Sequence, residues 1–467
     1  MALALSTQFT TILALHYPIL GKAIERIIMI VKEKAEMICE NISRNESGEL
    51  CFAGMPLTPL AVKYGTPLYL YDEARVRHNC RTYLEAVRLG FGEDARVMYA
   101  SKAASFKRLY EIVKEEGLGI DVVSCGEIYT ASLAGFPLEN AYFHSNNKTD
   151  YDIEYAIEKG VGCFVVDNAE ELFAIDEIAA RHGKKQKIML RITPGIDPHT
   201  YAAVATGKVD SKFGSAIETG QAKAITSLAL TFENIELIGF HCHVGSQIFD
   251  ADVYLATSKV MLNFVADMER ELGFVCRDLD IGGGLGVRYI ASQPILNIKE
   301  TILTVAKEMK ETANDLGIAL PRISLEPGRS IVADAGLTLY TVGTVKRIPG
   351  YKSYVSVDGG MTDNPRFALY GSPYTILPVQ EGDSDSELCS VVGRCCENGD
   401  ILQENVPMRS DIQRGDLLAC LTTGAYHYSM ASNYNRIPRP PVVMLNDGDS
   451  YLAVRRETVE DITHLDL

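Results

Sequence analysis

The sequence predicts an α/β protein: a (β/α)8 TIM-type barrel, then a mostly β C-terminal domain joined by an N-terminal strand segment. Three observations support this. From about residue 95, short β-rich runs alternate with helix-period segments, giving eight β/α units over about 240 residues. Those β runs are continuously apolar, as parallel strands buried on both faces are. After about Ala335 the helical period fades, and β runs are separated by Gly, Pro and Asp turns. A doubly wound sheet would also alternate, but no G-x-G-x-x-G opens a helix after the first strand. The glycine run Gly282-Gly283-Gly284-Leu285-Gly286 lies at strand seven instead. The implied division is an extension over 1–44, an N-terminal part of the β domain over 45–80, the barrel over 81–335 and the β domain over 336–467.

Taken in order, residues 10–20 are apolar but interrupted by His16, Tyr17 and Pro18. They lack a basic n-region and a small-residue cleavage site, so a secretory signal is not expected. Residues 21 to about 39 have an amphipathic helical period, read as an accessory helix or as a product of a misassigned start, with Met29 or Met37 as the other starts. No run reaches the ~20 apolar residues that span a bilayer. A strand at 67–72 precedes the barrel and is expected to join the β domain. Barrel strands are expected at 96–102, 119–124, 141–145, 163–167, 187–193, 237–244, 279–282 and 322–325. Helices are expected at 106–116, 169–182, 252–272 and 298–316 among others. The β runs 337–345, 354–357, 388–392 and 417–421 follow, and the acidic stretch 381–387 reads as a solvated loop.

A chain of 467 residues fits two domains, and 47% hydrophobic with 23% charged residues fits a well-cored one. A net charge of −16 argues against binding a nucleic-acid backbone, though not against gripping one small phosphate locally. The eleven cysteines have no metal-like spacing, and Cys395 and Cys396 are adjacent. Reduced thiols in a cytoplasm fit that pattern better than a disulfide framework.

Polar residues gather at the expected C-terminal ends of barrel strands, where such barrels do chemistry. Lys102 ends strand one. There, partial desolvation would free its amine for Schiff-base chemistry; a solvated strand-end lysine is the plain alternative. In His241-Cys242-His243-Val244-Gly245-Ser246, period-two alternation puts both histidines on one side. No third ligand stands at metal spacing, so no metal is expected. A histidine stacked on an aromatic cofactor, followed by a serine for a phosphate, fits better; His241 could equally be a satisfied core histidine. Gly282, Gly283 and Gly284 let backbone N–H groups approach an anion after strand seven. Glu326-Pro327-Gly328-Arg329 closes strand eight: a carboxylate there can keep a heterocyclic nitrogen protonated, and the arginine can hold a substrate carboxylate. Together, Lys102, His243, Ser246, the glycines and Glu326 describe a site for a phosphorylated pyridine aldehyde, pyridoxal 5'-phosphate.

With those residues in place, the chain resembles the fold-type III pyridoxal-phosphate-dependent decarboxylases, and among them the diaminopimelate decarboxylases. The matching stretches are Tyr99–Ala103, Pro194–His199, Asp210-Ser211-Lys212-Phe213-Gly214, His241–Gln247, Asp280–Gly286, Glu326–Ala335, Asp358–Gly371, Cys396–Asp400 and Gly424–Pro440. They run in family order from about residue 50 to residue 460, and the run from Gly424 to Asn435 is the most specific. The resemblance implies that Lys102 carries the cofactor, that His243 stacks on its ring and that Glu326 faces the pyridine nitrogen. It implies that Ser246, Gly283, Gly284, the backbone around Gly328, and Tyr426 surround the phosphate, with Arg329 bordering cofactor and substrate. Arg329, Arg366, Tyr370, Glu397 and Tyr426 would recognise meso-diaminopimelate. Cys396 would donate the proton, with Lys102 its rival. Cys396 and Glu397 would reach a neighbouring subunit, which implies a homodimer with shared sites.

The implied reaction is decarboxylation of meso-2,6-diaminopimelate to L-lysine and CO2, the last step of lysine biosynthesis. The alternative is another basic amino-acid substrate: ornithine, arginine or carboxynorspermidine. An alanine racemase is a weaker match, since that family puts an arginine where Glu326 stands, and a silent relative would not need Lys102, Cys396 and Glu326 together. The chain departs from the family pattern at Arg394, where proline is common, at Asn398, where serine is common, and in a slightly short loop over 194–201.

Overall fold

The computed structural model describes residues 37–197, 207, 209–382 and 384–467. The apolar stretch 10–20, most of the accessory helix over 21–39, and the loop from Pro198 to Tyr201 lie outside the described residues.

Eight parallel strands close a barrel: Arg96–Ala100, Gly119–Val122, Ala141–Phe143, Cys163–Val166, Gln186–Thr193, Ile235–His241, Asp278–Asp280 and Arg322–Leu325. Strand eight returns to strand one with Ser324 opposite Arg96 and Leu325 opposite Val97. Met98, Tyr142, Cys163, Val165, Met189 and Ile238, drawn from five strands, form a separate core cluster. Such layers of side chains make a barrel of this kind a packed core, not a pore. The helices outside bury one stripe each. In Ile298–Leu316 the buried positions Ile302, Val305, Ala306, Met309 and Ala313 follow the 3.6-residue period, Asn297 caps the start, and Gly317 at φ 67° ends it.

Strands five and eight end at the C-terminal mouth where expected; the other six stop one to three residues short, strands one and seven for local polar reasons. Strand one ends at Ala100 because the Tyr99 hydroxyl accepts from Ala104 N–H (3.1 Å) and donates to its carbonyl (2.9 Å). The chain folds into a 3-10 turn, Ser101–Ala103. Strand seven ends at Asp280, whose Oδ1 accepts from Gly282 N–H (2.7 Å) and draws the chain out of the ladder. Strand six ends at His241, which leaves His243 in the loop.

The strand Leu68–Asp72 lies centrally in the mostly β body. It runs antiparallel to Gly336–Arg347, with Leu70 opposite Leu337, and parallel to Val442–Asn446, with Leu70 opposite Val443. Its period-two pattern makes it a hinge between cores. Leu68 and Leu70 pack with Leu337, Leu339, Leu421 and Val443, whereas Tyr69 and Tyr71 join the barrel-side core. Ile38, Cys39 and Ile42 pack in the same cluster as Leu68. Among the described residues no helix is long and apolar enough to cross a membrane.

Candidate active site

A pocket of about 460 Å³ opens at the C-terminal mouth of the barrel, large enough for a cofactor with a small substrate. A wider cleft, about 720 Å³, opens at the opposite face beside Lys184, Lys187 and Arg322, but none of the predicted catalytic groups reaches it.

Lys102 lies in the turn after strand one and lines the pocket. It is exposed rather than partly desolvated, because the strand stops two residues earlier and the turn carries the side chain to the rim. The β domain is tied to this turn: Tyr426 N–H donates to the Ala103 carbonyl at 2.7 Å. Tyr426 itself sits at φ 65°, a left-handed conformation that bends the chain back over the mouth.

The anion cradle is built of backbone. A Cβ on Gly283 would lie 2.0 Å from the Glu326 carbonyl oxygen, and one on Gly284, at φ 110°, would lie 2.1 Å from the Gly245 carbonyl oxygen. Only glycine fits at either position. Gly283, Gly284, Gly328 and Ser246 line the pocket. Gly282 does not line it; it faces an apolar cavity behind the strand with Tyr83 and Ile302. A neutral imidazole stands beside the cradle, since enclosure, with Lys102 and Arg191 nearby, pushes His243 well below its ordinary pKa.

Glu326 is 7% exposed and accepts two hydrogen bonds, from His144 Nε2 at 2.7 Å and His241 Nε2 at 2.9 Å. Burial is the main cause that holds both histidines below their usual range, His241 at about 3. Asp121 and Asp280 are buried nearby, and desolvation followed by the Glu326 charge pushes both carboxyls up. Ligand-type atoms of His144, His241 and Glu326 lie within 4.8 Å of one another, so the third group beside His241 exists but comes from strand three's end rather than from local spacing.

On the other wall, Arg329 is buried and among the described residues bonds to neutral oxygens: Nε and Nη2 donate to Ser246 Oγ (3.2 and 2.9 Å), and Nη1 to Tyr289 Oη (2.8 Å). Arg366 is 6% exposed, and its Nε has no hydrogen-bond partner. The guanidinium carbons of Arg329 and Arg366 lie 4.8 and 4.9 Å from the Tyr426 ring centroid, and Arg366 also lies 4.9 Å from Tyr370. Neither arginine makes an ion pair among the described residues. Cys396 and Glu397 are exposed and do not line this pocket; Cys396 N–H donates to Asn435 Oδ1 at 2.9 Å, and Glu397 accepts from Gly399 N–H at 3.3 Å.

Four ionisable lining residues carried no expectation from sequence: His144, Asp121, Arg191 and Lys212. Three stand at or near strand ends or in the matched 210–214 motif, and a rule of reading every polar strand-end residue would have found them. Arg191 lies inside strand five, over the Phe213 ring at 4.3 Å, and had no such signal.

A lysine in the turn after strand one, glycines after strand seven and a carboxylate after strand eight fit the pyridoxal-dependent decarboxylase class. The family model "Pyridoxal-dependent decarboxylase, pyridoxal binding domain" matches residues 73–333. The chain is 43% identical to diaminopimelate decarboxylase of Bacillus subtilis (strain 168), covering 91% of this chain and 96% of that one. It is 40% identical to diaminopimelate decarboxylase of Staphylococcus aureus (strain COL), over 90% and 98%. The solved diaminopimelate decarboxylase from M. jannaschii in co-complex with L-lysine superposes with a TM-score of 0.85 at 32% identity, covering 92% of this chain and 98% of that one. The chain therefore belongs to the diaminopimelate decarboxylase family, and pyridoxal phosphate is its cofactor.

Proposed function

We propose that the protein decarboxylates meso-2,6-diaminopimelate to L-lysine and CO2, with pyridoxal phosphate at the barrel mouth. The observation that carries the substrate choice is the pair Arg329 and Arg366. Two buried guanidiniums, with no carboxylate partner among the described residues, flank Tyr426 beside Lys102. A buried charge is costly alone. A substrate with a second carboxylate at its far end would pair them, and ornithine or lysine would not.

When bound, pyridoxal phosphate supplies a pyridinium ring that accepts the electron pair left as CO2 departs. The chain's own groups do the rest. Lys102 Nζ is the amine that would hold the cofactor's aldehyde. Glu326 keeps a proton on the ring nitrogen, and His243 offers a neutral ring to stack on. Gly283, Gly284, Gly328, Ser246 and Tyr426 receive the phosphate, the first three without a Cβ to obstruct it. Cys396 delivers the proton to Cα, and Lys102 Nζ is the competing donor. Cys396 and Glu397 are exposed and do not line the pocket of their own subunit, which supports a homodimer in which each subunit completes its partner's site. Eleven free cysteines support a reducing, cytoplasmic setting.

Incubation with meso-diaminopimelate tests the reading. One CO2 should appear per L-lysine, and borohydride reduction should abolish turnover while fixing the cofactor on Lys102. A label on any other lysine, or turnover surviving reduction, would contradict it.

A further inference from the structure

The two histidines on Glu326 are unexplained by the reaction so far. A carboxylate oxygen only accepts, so the 2.7 and 2.9 Å contacts require that Nε2 of His144 and Nε2 of His241 each carry the hydrogen. The remaining ring nitrogen of His241, Nδ1, is then a bare acceptor, and it is buried with no partner. Each carboxylate oxygen has two lone-pair directions, and one on each is taken from inside the barrel. Glu326 also lines the pocket at the mouth, so the rest are left for a ligand there. The neighbouring acids are not furnished in this way: Asp121 Oδ1 and Asp280 Oδ2 are buried without any hydrogen-bond partner.

From this geometry we propose that His144 and His241 are positioning residues that donate as neutral imidazoles to both oxygens of Glu326, leaving its negative charge for the protonated ring nitrogen of the cofactor. The inference rests on the reading of Glu326 as the group facing that nitrogen. A cationic histidine here would pair with Glu326 and compete with the ring. Burial keeps both histidines uncharged, so they fix the carboxylate without neutralising it. Hydrogen bonds to charged groups contribute enough that losing one should lower kcat about tenfold to a hundredfold, with KM little changed.

The test is nitrogen-15 NMR of the holoenzyme loaded with ring-labelled pyridoxal phosphate. The set is Glu326→Gln, the donor-free variants His144→Leu, His144→Met, His241→Leu and His241→Met, and the donor-retaining His144→Gln and His241→Gln. Two apolar volumes are used at each position so that a folding failure of one leaves the other to be read. The donor-free variants and Glu326→Gln should move the ring nitrogen toward its unprotonated signal, while the glutamine variants at 144 and 241 keep it protonated. A parent-like signal in Glu326→Gln would overturn the reading of Glu326 itself. A shift in Glu326→Gln with parent-like donor-free histidine variants would overturn only the inference drawn from the histidines, as would glutamine variants that behave like leucine.

Discussion

Arg366→Met removes a guanidinium that is buried yet weakly bonded. Its Nη1 lies 4.0 Å from Met430 Sδ, its Nε is unsatisfied, and its other contacts are two aromatic faces at 4.9 Å. In the proposed complex it pairs with the substrate's far carboxylate. Removing one member of a buried charged pair costs about 3–5 kcal/mol. At about 1.4 kcal/mol per tenfold, that is about 10²–10⁴ in kcat/KM. Tyr370 at 38% exposed keeps one side of the pair wet, so the lower end applies, about a hundredfold. Stability should not follow. An unsatisfied buried donor costs about 1–3 kcal/mol, and two cation–π contacts return about 0.5–2 kcal/mol each. The sum is near zero, so the melting temperature should stay close to the parent's. The assay is CO2 release over a range of meso-diaminopimelate concentrations, run beside a thermal melt of the same preparation. A kcat/KM within about threefold of the parent would refute the carboxylate-reading role. So would a loss of activity that tracks a fall in melting temperature.

Gly283→Ala would place a Cβ 2.0 Å from a backbone oxygen. The shift needed should cost about 1–3 kcal/mol of stability and weaken cofactor retention, read as occupancy after dialysis; full occupancy would contradict the cradle. Burial holds His427 neutral, at about 3 against its ordinary 6.5, with Nδ1 donating to the Ala425 carbonyl at 2.8 Å and Nε2 at 2.9 Å from the Asn364 side-chain amide. The unfolded chain therefore binds the extra proton first. The stability contributed is whole above pH ~6.5 and is lost as pH falls toward 3, at about 1.4 kcal/mol per unit. Between pH 7 and 5 the parent should lose about 2 kcal/mol more than His427→Gln, and parallel melts would refute that assignment. Lys102→Ala and Cys396→Ala, each inactive alone, should recover about a quarter of parental activity when subunits are mixed, since half of the dimers would hold one intact site. No recovery would contradict shared sites.

The barrel was legible because its strands are buried on both faces and so read as unbroken apolar runs; Cys163–Val166 has four buried residues in a row. The strand ends were not, because side chains such as Asp280 and the Tyr99 hydroxyl compete for backbone groups, and apolar pattern does not register that competition. The strand Leu68–Asp72 was placed correctly in the β domain, although its central position depends on partners nearly 270 and 375 residues away. The lining of the candidate site was legible where it sits in local motifs: Glu326, Gly328 and Arg329, Gly283 and Gly284, His243 and Ser246. It was not where function rides on side chains meeting across the barrel. His144 and Glu326 are 182 residues apart, and no spacing connects them.

The central claim is that two unpaired arginines make this barrel mouth select a diacid-diamine. The direct measurement is kcat/KM for CO2 release from meso-diaminopimelate, L-ornithine, L-arginine and L-lysine, side by side on one holoenzyme preparation. The account predicts turnover of meso-diaminopimelate to L-lysine, with the three monoacids at least about a hundredfold poorer. Comparable or faster turnover of ornithine, arginine or lysine would contradict it.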